Sequence, residues 1–251
     1  MSALRAHRGL LGASAVVFAA SAITTVLWCG SMSAMPGMEM PGGWTMSMAW
    51  MRMPGQGWLG AAATFIGMWS VMMVAMMLPT FLPMLMRYRA TVADSGASLS
   101  RLTGLVAAGY FFVWTLAGVS VYPLGLALAA AEMRSPMLAQ TVPVALGVLM
   151  VTAGLVQFTA WKRRQLACCR ASPPRAAANA SAAWRHGLKL GRDCVRCCAS
   201  LTTVLLAIGV MDLRAMAAVT ALITAERLAP AGERVPRGIG MTLVLCGLFL
   251  V

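Results

Sequence analysis

Residues 58–86 read WLGAAATFIGMWSVMMVAMMLPTFLPMLM, without one charged side chain. A helix needs roughly 20 apolar residues to cross about 30 Å of hydrocarbon, so this run reads as a membrane span. Outward from it the pattern repeats, with apolar runs at 10–29, 102–131, 138–161, 194–211, 215–225 and 238–251. Composition agrees: 60% of the chain is hydrophobic and 11% charged, with a mean hydropathy of +0.77, whereas soluble domains carry about 25% charged residues. The expected fold is an all-α polytopic transmembrane helical bundle, with the lipid bilayer as its solvent. Residues 1–57 form an N-terminal span and a Met-rich outer loop, and 58–251 form the main helical membrane domain.

The 20 Lys and Arg outnumber the 7 Asp and Glu, a formal charge of +13. These cations sit in short loops between apolar runs and not on one helical face, so they read as orientation signals and not as a nucleic-acid surface. The basic stretch 162–193, with Pro173, Pro174 and a weakly ordered Ala/Asn/Ser stretch inside it, reads as a cytoplasmic loop. If 194–228 is a hairpin turning at Met211 to Leu213, only Arg52, Arg134 and Arg214 fall outside and seventeen Lys and Arg fall inside. That asymmetry predicts about seven spans with a cytoplasmic N terminus, six being the alternative if 194–228 crosses once. Arg5 and Arg8 before the first run resemble a secretory signal; bulky Leu27 and Trp28 favour an uncleaved anchor over a cut near 31–34. Pro36, Pro41, Pro54 and six glycines make 30–57 an irregular or interfacial segment. Pro79 and Pro83 predict a kink or an early exit near Leu78.

Methionine and cysteine carry the candidate chemistry. Met32, Met35, Met38, Met40, Met46, Met48, Met51 and Met53 fall in the outer loop, where no packed core explains them. Thioether sulfur is a soft ligand that selects Cu(I) over hard cations; the alternative is an adaptable interfacial surface. Met68, Met72 and Met76 repeat every four residues, with Met73 and Met77 beside them, which stacks thioethers along one stripe. By itself such a stripe reads as packing.

Cys194, Cys197 and Cys198 form C-x-x-C-C, with Cys168 and Cys169 upstream. Placed at a helix start, three thiols share one face, and the N-terminus with Arg192 and Arg196 would favour thiolate. Together with the upstream pair they could close a three- or four-thiolate site for copper or zinc, or they could be small buried or palmitoylated residues at a membrane edge. Asp212 and Glu226 are the intramembrane carboxylates, a class that is costly and often functional; pairing with Arg214 and Arg227 is the structural reading of each. Two histidines and no H-E-x-x-H or E-x-x-H array argue against di-iron, multi-histidine copper and zinc-protease chemistry. The absence of a G-x-x-x-x-G-K-[ST] motif argues against an ATP-driven pump acting alone.

GMWSVMMVAMMLPTFLPML (67–85), GLVQFTAWKRRQLACC (154–169), WRHGLKLGRDCVRCCASL (184–201) and GVMDLRAMAAVTALITAERLAP (209–230) together resemble the bacterial family of predicted metal-binding integral membrane proteins, some of whose members are labelled copper chaperone. The resemblance spans 58–251 and implies a metal-binding type of helical membrane domain. By position it places Met72, Met73, Met76, Met77, Cys194, Cys197 and Cys198 in the family's motif blocks, while the outer Met-rich loop has no counterpart there. The leading reading is Cu(I) binding, delivery or transport, with a copper protein or membrane complex as partner. The alternatives are a membrane subunit of a redox or oxygenase complex and a structural or assembly protein. An enzymatic role is not expected, and the sequence does not fix the oligomeric state.

Overall fold

A computed structural model describes residues 2–33, 37–52, 55–92, 98–171, 179–229 and 234–251. Its helices are α1 (Ser2–Ser33), α2 (Trp58–Val92), α3 (Leu99–Arg134), α4 (Pro136–Gln157), α5 (Ala160–Ala171), α6 (Ala180–Ile208), α7 (Leu213–Leu228) and α8 (Arg234–Leu248). Four of them, α1 to α4, are long and apolar enough to cross a membrane. The other three long elements fall short of the seven expected for identifiable physical reasons. The first half of α6 carries Arg185, Lys189, Arg192, Asp193 and Arg196. Helices α7 and α8 have 16 and 15 residues, about 24 and 22 Å at the helical rise.

The described part of the outer loop is more regular than its Pro and Gly content suggests. Strands β1 (Met38–Met40) and β2 (Trp44–Met46) pair antiparallel, Met38 opposite Met46 and Met40 opposite Trp44. Gly42 and Gly43 turn between them at φ 112° and 77°, a backbone region open to glycine at little cost. The Trp44 indole donates to the Ala139 carbonyl at 2.9 Å, pinning the hairpin to the start of α4.

Nor does α2 end near Leu78. It runs on to Val92 with Pro79 and Pro83 inside it. Each proline removes one N–H donor, and nearby side chains add bonds of their own: the Thr80 hydroxyl donates to Met77 O at 2.9 Å. The basic stretch 162–193 is also largely helical where it is described, as α5 and the first half of α6. Its buried positions Ala183, Gly187, Leu190, Gly191 and Cys194 recur at helical spacing, so the cations occupy the opposite face of an amphipathic helix.

The turn at Gly209 to Asp212 makes α6 and α7 a hairpin, as the charge asymmetry predicted. Asp212 caps α7 by accepting from Arg214 N at 2.7 Å and Ala215 N at 2.9 Å, so its carboxylate serves the turn's backbone. Helix α2 runs antiparallel to α3 through the Trp69 indole on Trp114 O at 2.8 Å and Phe81 stacked on Tyr110. Helices α3 and α6 run parallel and touch backbone to backbone, since a Cβ at Gly109 would stand 2.8 Å from Trp184 O and one at Gly187 would strike Val106 O. Small residues of this kind are what lets helices approach closely in lipid. Outward-facing Val16, Ile23, Leu27, Leu124, Val148 and Leu155 are exposed, an apolar surface suited to membrane insertion.

Candidate metal centre

The sulfur cluster forms where α5, α6 and α7 meet the second half of α2. Along α6 the buried stripe continues as Cys194, Cys197, Cys198 and Leu201, so all three C-x-x-C-C thiols face the interior at 1% exposure or less. Cys194 Sγ and Cys198 Sγ, one turn apart, lie 3.9 Å from each other. From α5, Cys169 is buried and its thiol donates to Asp193 O at 3.2 Å. It also hydrogen-bonds Cys197, and that bond together with burial holds the Cys169 thiol well above its ordinary pKa. Its neighbour Cys168 is exposed, because adjacent helical residues point about 100° apart. Four of the five candidate thiols therefore converge and one does not.

The expected source of positive charge is replaced by another. Cys194 lies about four turns inside α6, beyond the reach of a terminal dipole, and Arg192 and Arg196 are exposed. Instead Arg227 enters from α7, only 7% exposed, and donates from Nη1 to Cys194 Sγ at 2.9 Å and to Thr80 Oγ1 at 3.0 Å. Its Nη2 donates to Met84 Sδ at 3.2 Å. The Tyr110 hydroxyl also donates to Cys194 Sγ, at 3.0 Å. Cys194 is thus the acceptor for a guanidinium and a phenol, the role a metal-ligating thiolate also plays.

Glu226 does not pair with Arg227 as expected. Adjacent on α7, the two diverge, and Glu226 Oε2 meets Lys162 Nζ at 2.8 Å with both side chains 1% exposed. Lys162 Nζ donates further to Cys197 O at 2.8 Å. A residue that reads as the basic end of an apolar run thereby ties α5 to α6 and α7 beneath the thiols. His186 stays apart, stacked on Tyr88, about 12 Å along α6 from Cys194.

The methionines divide. Met68, Met72, Met73, Met76 and Met77 are all buried and share one core with Cys169, Cys194, Cys197 and Cys198. The stripe faces the bundle and not lipid, and Met84 extends it to Arg227. At the other end Met32 lines a cavity with Met68. Met38 is 41% exposed on β1, and Met40 packs with Met46 on Ala129 and Ala139, in a cluster separate from the stripe. Met35 and Met53 lie outside the described residues.

Chemically, two metal–sulfur bonds of 2.3 Å place their sulfurs about 3.8 Å apart at a tetrahedral angle and about 4.6 Å apart when linear. The Cys194–Cys198 pair at 3.9 Å is within a small side-chain shift of either. Among the described residues no group of three or more His, Cys, Asp or Glu side chains is arranged to hold a metal ion, so a closed zinc site of four ligands is not pre-formed. A two-coordinate soft ion makes the lesser demand. Lys162, Arg227, Tyr110, Thr80 and Met84 were not visible as site residues in the sequence: the first two look like edge charges, and nothing in local spacing joins the other three to the cysteines.

No curated protein and no solved structure matches the chain significantly. A family model described as copper chaperone matches residues 66–250, a span that takes in all four sequence blocks, the Met stripe and the thiols. On that match, the chain belongs to the PpoB2 copper chaperone family.

Proposed function

We propose that this protein handles Cu(I) as cargo in the bacterial cytoplasmic membrane, collecting it on thioethers and holding it at the thiol centre for delivery to a copper-protein partner. The observation that carries the reading is the convergence of Cys169, Cys194, Cys197 and Cys198 at one end of a buried thioether stripe. Neutral thioethers pass a soft monovalent cation by ligand exchange without leaving it bare in hydrocarbon, where an isolated charge is strongly disfavoured. Thiolates at the end of the path are softer, anionic ligands and give the movement a direction.

Arg227 supplies the balancing cation when the centre holds no copper; an arriving Cu(I) takes its place on Cys194. The alternating directions of α1, α2, α3, α4, α6, α7 and α8 support seven crossings. The excess of Lys and Arg at the thiol end supports placing that end in the cytoplasm, where thiols stay reduced.

The test is the Cu(I) and Zn(II) stoichiometry of the protein purified in detergent under reducing conditions, beside Cys194→Ser/Cys197→Ser/Cys198→Ser. Copper bound by the wild type and reduced in the variant is the expected result. Absence of stoichiometric copper in the wild type, or loading unchanged in the variant, would sink the thiol centre as its holder, and thiol exchange without metal would point instead to a redox subunit.

A further inference from the structure

At the hairpin end of the bundle, opposite the thiols, a cavity of about 380 Å³ is walled by Trp28, Met32, Met51, Phe65, Met68 and Met211 among others. Four thioethers reach it from four separate places: the end of α1, the segment after β2, the first third of α2 and the α6–α7 turn. Behind Met211 sits Cys29, 2% exposed, its Sγ 3.9 Å from Met211 Sδ. The cavity is partly open, so its thioethers can be reached from outside the packed bundle. The remaining polar lining among the described residues is Ser31, Gln56 and Thr64, none of them an ionisable group that would recognise a hard cation.

We infer that Cys29 and Met211, with Met32, Met51 and Met68, form a second Cu(I) site, distinct from the thiol centre and at the opposite end of the stripe. Met68 is common to the cavity and the stripe, and the helical rise puts it about 18 Å from Thr80 at the thiol end. Binding converts the Cys29 thiol to a thiolate ligand, its proton leaving to solvent, so that the copper–thiolate unit is neutral. The cavity, and not the β-hairpin carrying Met38, Met40 and Met46, is therefore where copper meets the stripe. This inference rests on the copper reading above.

The experiment competes a chromophoric Cu(I) chelator against full-length protein in detergent, starting from the Cys194→Ser/Cys197→Ser/Cys198→Ser background. That background should retain about one tightly held Cu(I). Adding Cys29→Ser and Met211→Leu should weaken the residual binding by about tenfold or more, with helicity by circular dichroism unchanged; Met38→Leu/Met46→Leu should not. Residual copper indifferent to Cys29→Ser and Met211→Leu would overturn the second site and leave the thiol centre standing. A wild type that binds copper and a Cys194→Ser/Cys197→Ser/Cys198→Ser background that binds none would do the same, whereas no copper on the wild type would fell both readings.

Discussion

Lys162 and Glu226 form an ion pair at 2.8 Å with each side chain 1% exposed. Removing one partner leaves a buried, uncompensated charge, a change that costs about 3–5 kcal/mol, whereas exchanging both for apolar residues of similar volume is often neutral or stabilising. Lys162→Met and Glu226→Leu should each therefore lower the thermal midpoint by about 6–20 °C, using about 2–4 °C per kcal/mol for a chain of this size. Lys162→Met/Glu226→Leu should recover part of that loss. It should fall somewhat short of the wild type, because Lys162 Nζ also donates to Cys197 O at 2.8 Å and a lost bond from a charged donor costs about 1.5–3 kcal/mol. The assay is thermal unfolding in detergent followed by a thiol-reactive fluorophore, which reports directly on exposure of Cys169, Cys194, Cys197 and Cys198. Single variants within about 1 kcal/mol of the wild type, or a double variant worse than both singles, would refute the claim that this pair is desolvated and joins α5 to α7.

The remaining predictions concern packing, capping and access. Gly187→Ala drives a Cβ into Val106 O on α3 and should cost about 1–3 kcal/mol, while Gly104→Ala, with nothing within 4 Å of its Cβ, should be tolerated; unfolding midpoints decide. Asp212→Ala removes the cap of α7 and should cost about 1 kcal/mol, with Asp212→Asn close to neutral in the same assay. A water-soluble maleimide added to native protein should modify exposed Cys168 and spare Cys169, Cys194, Cys197 and Cys198; intact-mass analysis that finds fast labelling of the C-x-x-C-C thiols would contradict their burial.

The helices were legible because apolar runs of spanning length have one economical solution in lipid, and the α6–α7 hairpin was legible because charge asymmetry exposed the turn. The β-hairpin was not: its order comes from Gly42 and Gly43 and from Trp44 reaching Ala139, nearly a hundred residues away. The first half of α6 was missed because its basic residues mask a buried stripe that is visible only at a period of 3.6 residues. The cysteines were found as a motif, yet their setting was not. Expecting them at a helix start assigned their electrostatics to a dipole and to Arg192 and Arg196, when the adjacent groups are Arg227 and Lys162. Both are long side chains that turn inward from positions reading as helix edges, and only tertiary packing reveals that direction. The same holds for Cys29 and Met211, which are 182 residues apart and meet because α1 and the α6–α7 turn end at the same level.

The most direct test of copper at the thiol centre is X-ray absorption at the copper K-edge of Cu(I)-loaded protein, wild type beside Cys194→Ser/Cys197→Ser/Cys198→Ser. An all-sulfur first shell of low coordination number is expected in the wild type, with copper loading lowered in the variant and the thiolate share of its shell diminished to what Cys29 supplies. A nitrogen or oxygen shell, or spectra that coincide between the two proteins, would contradict it.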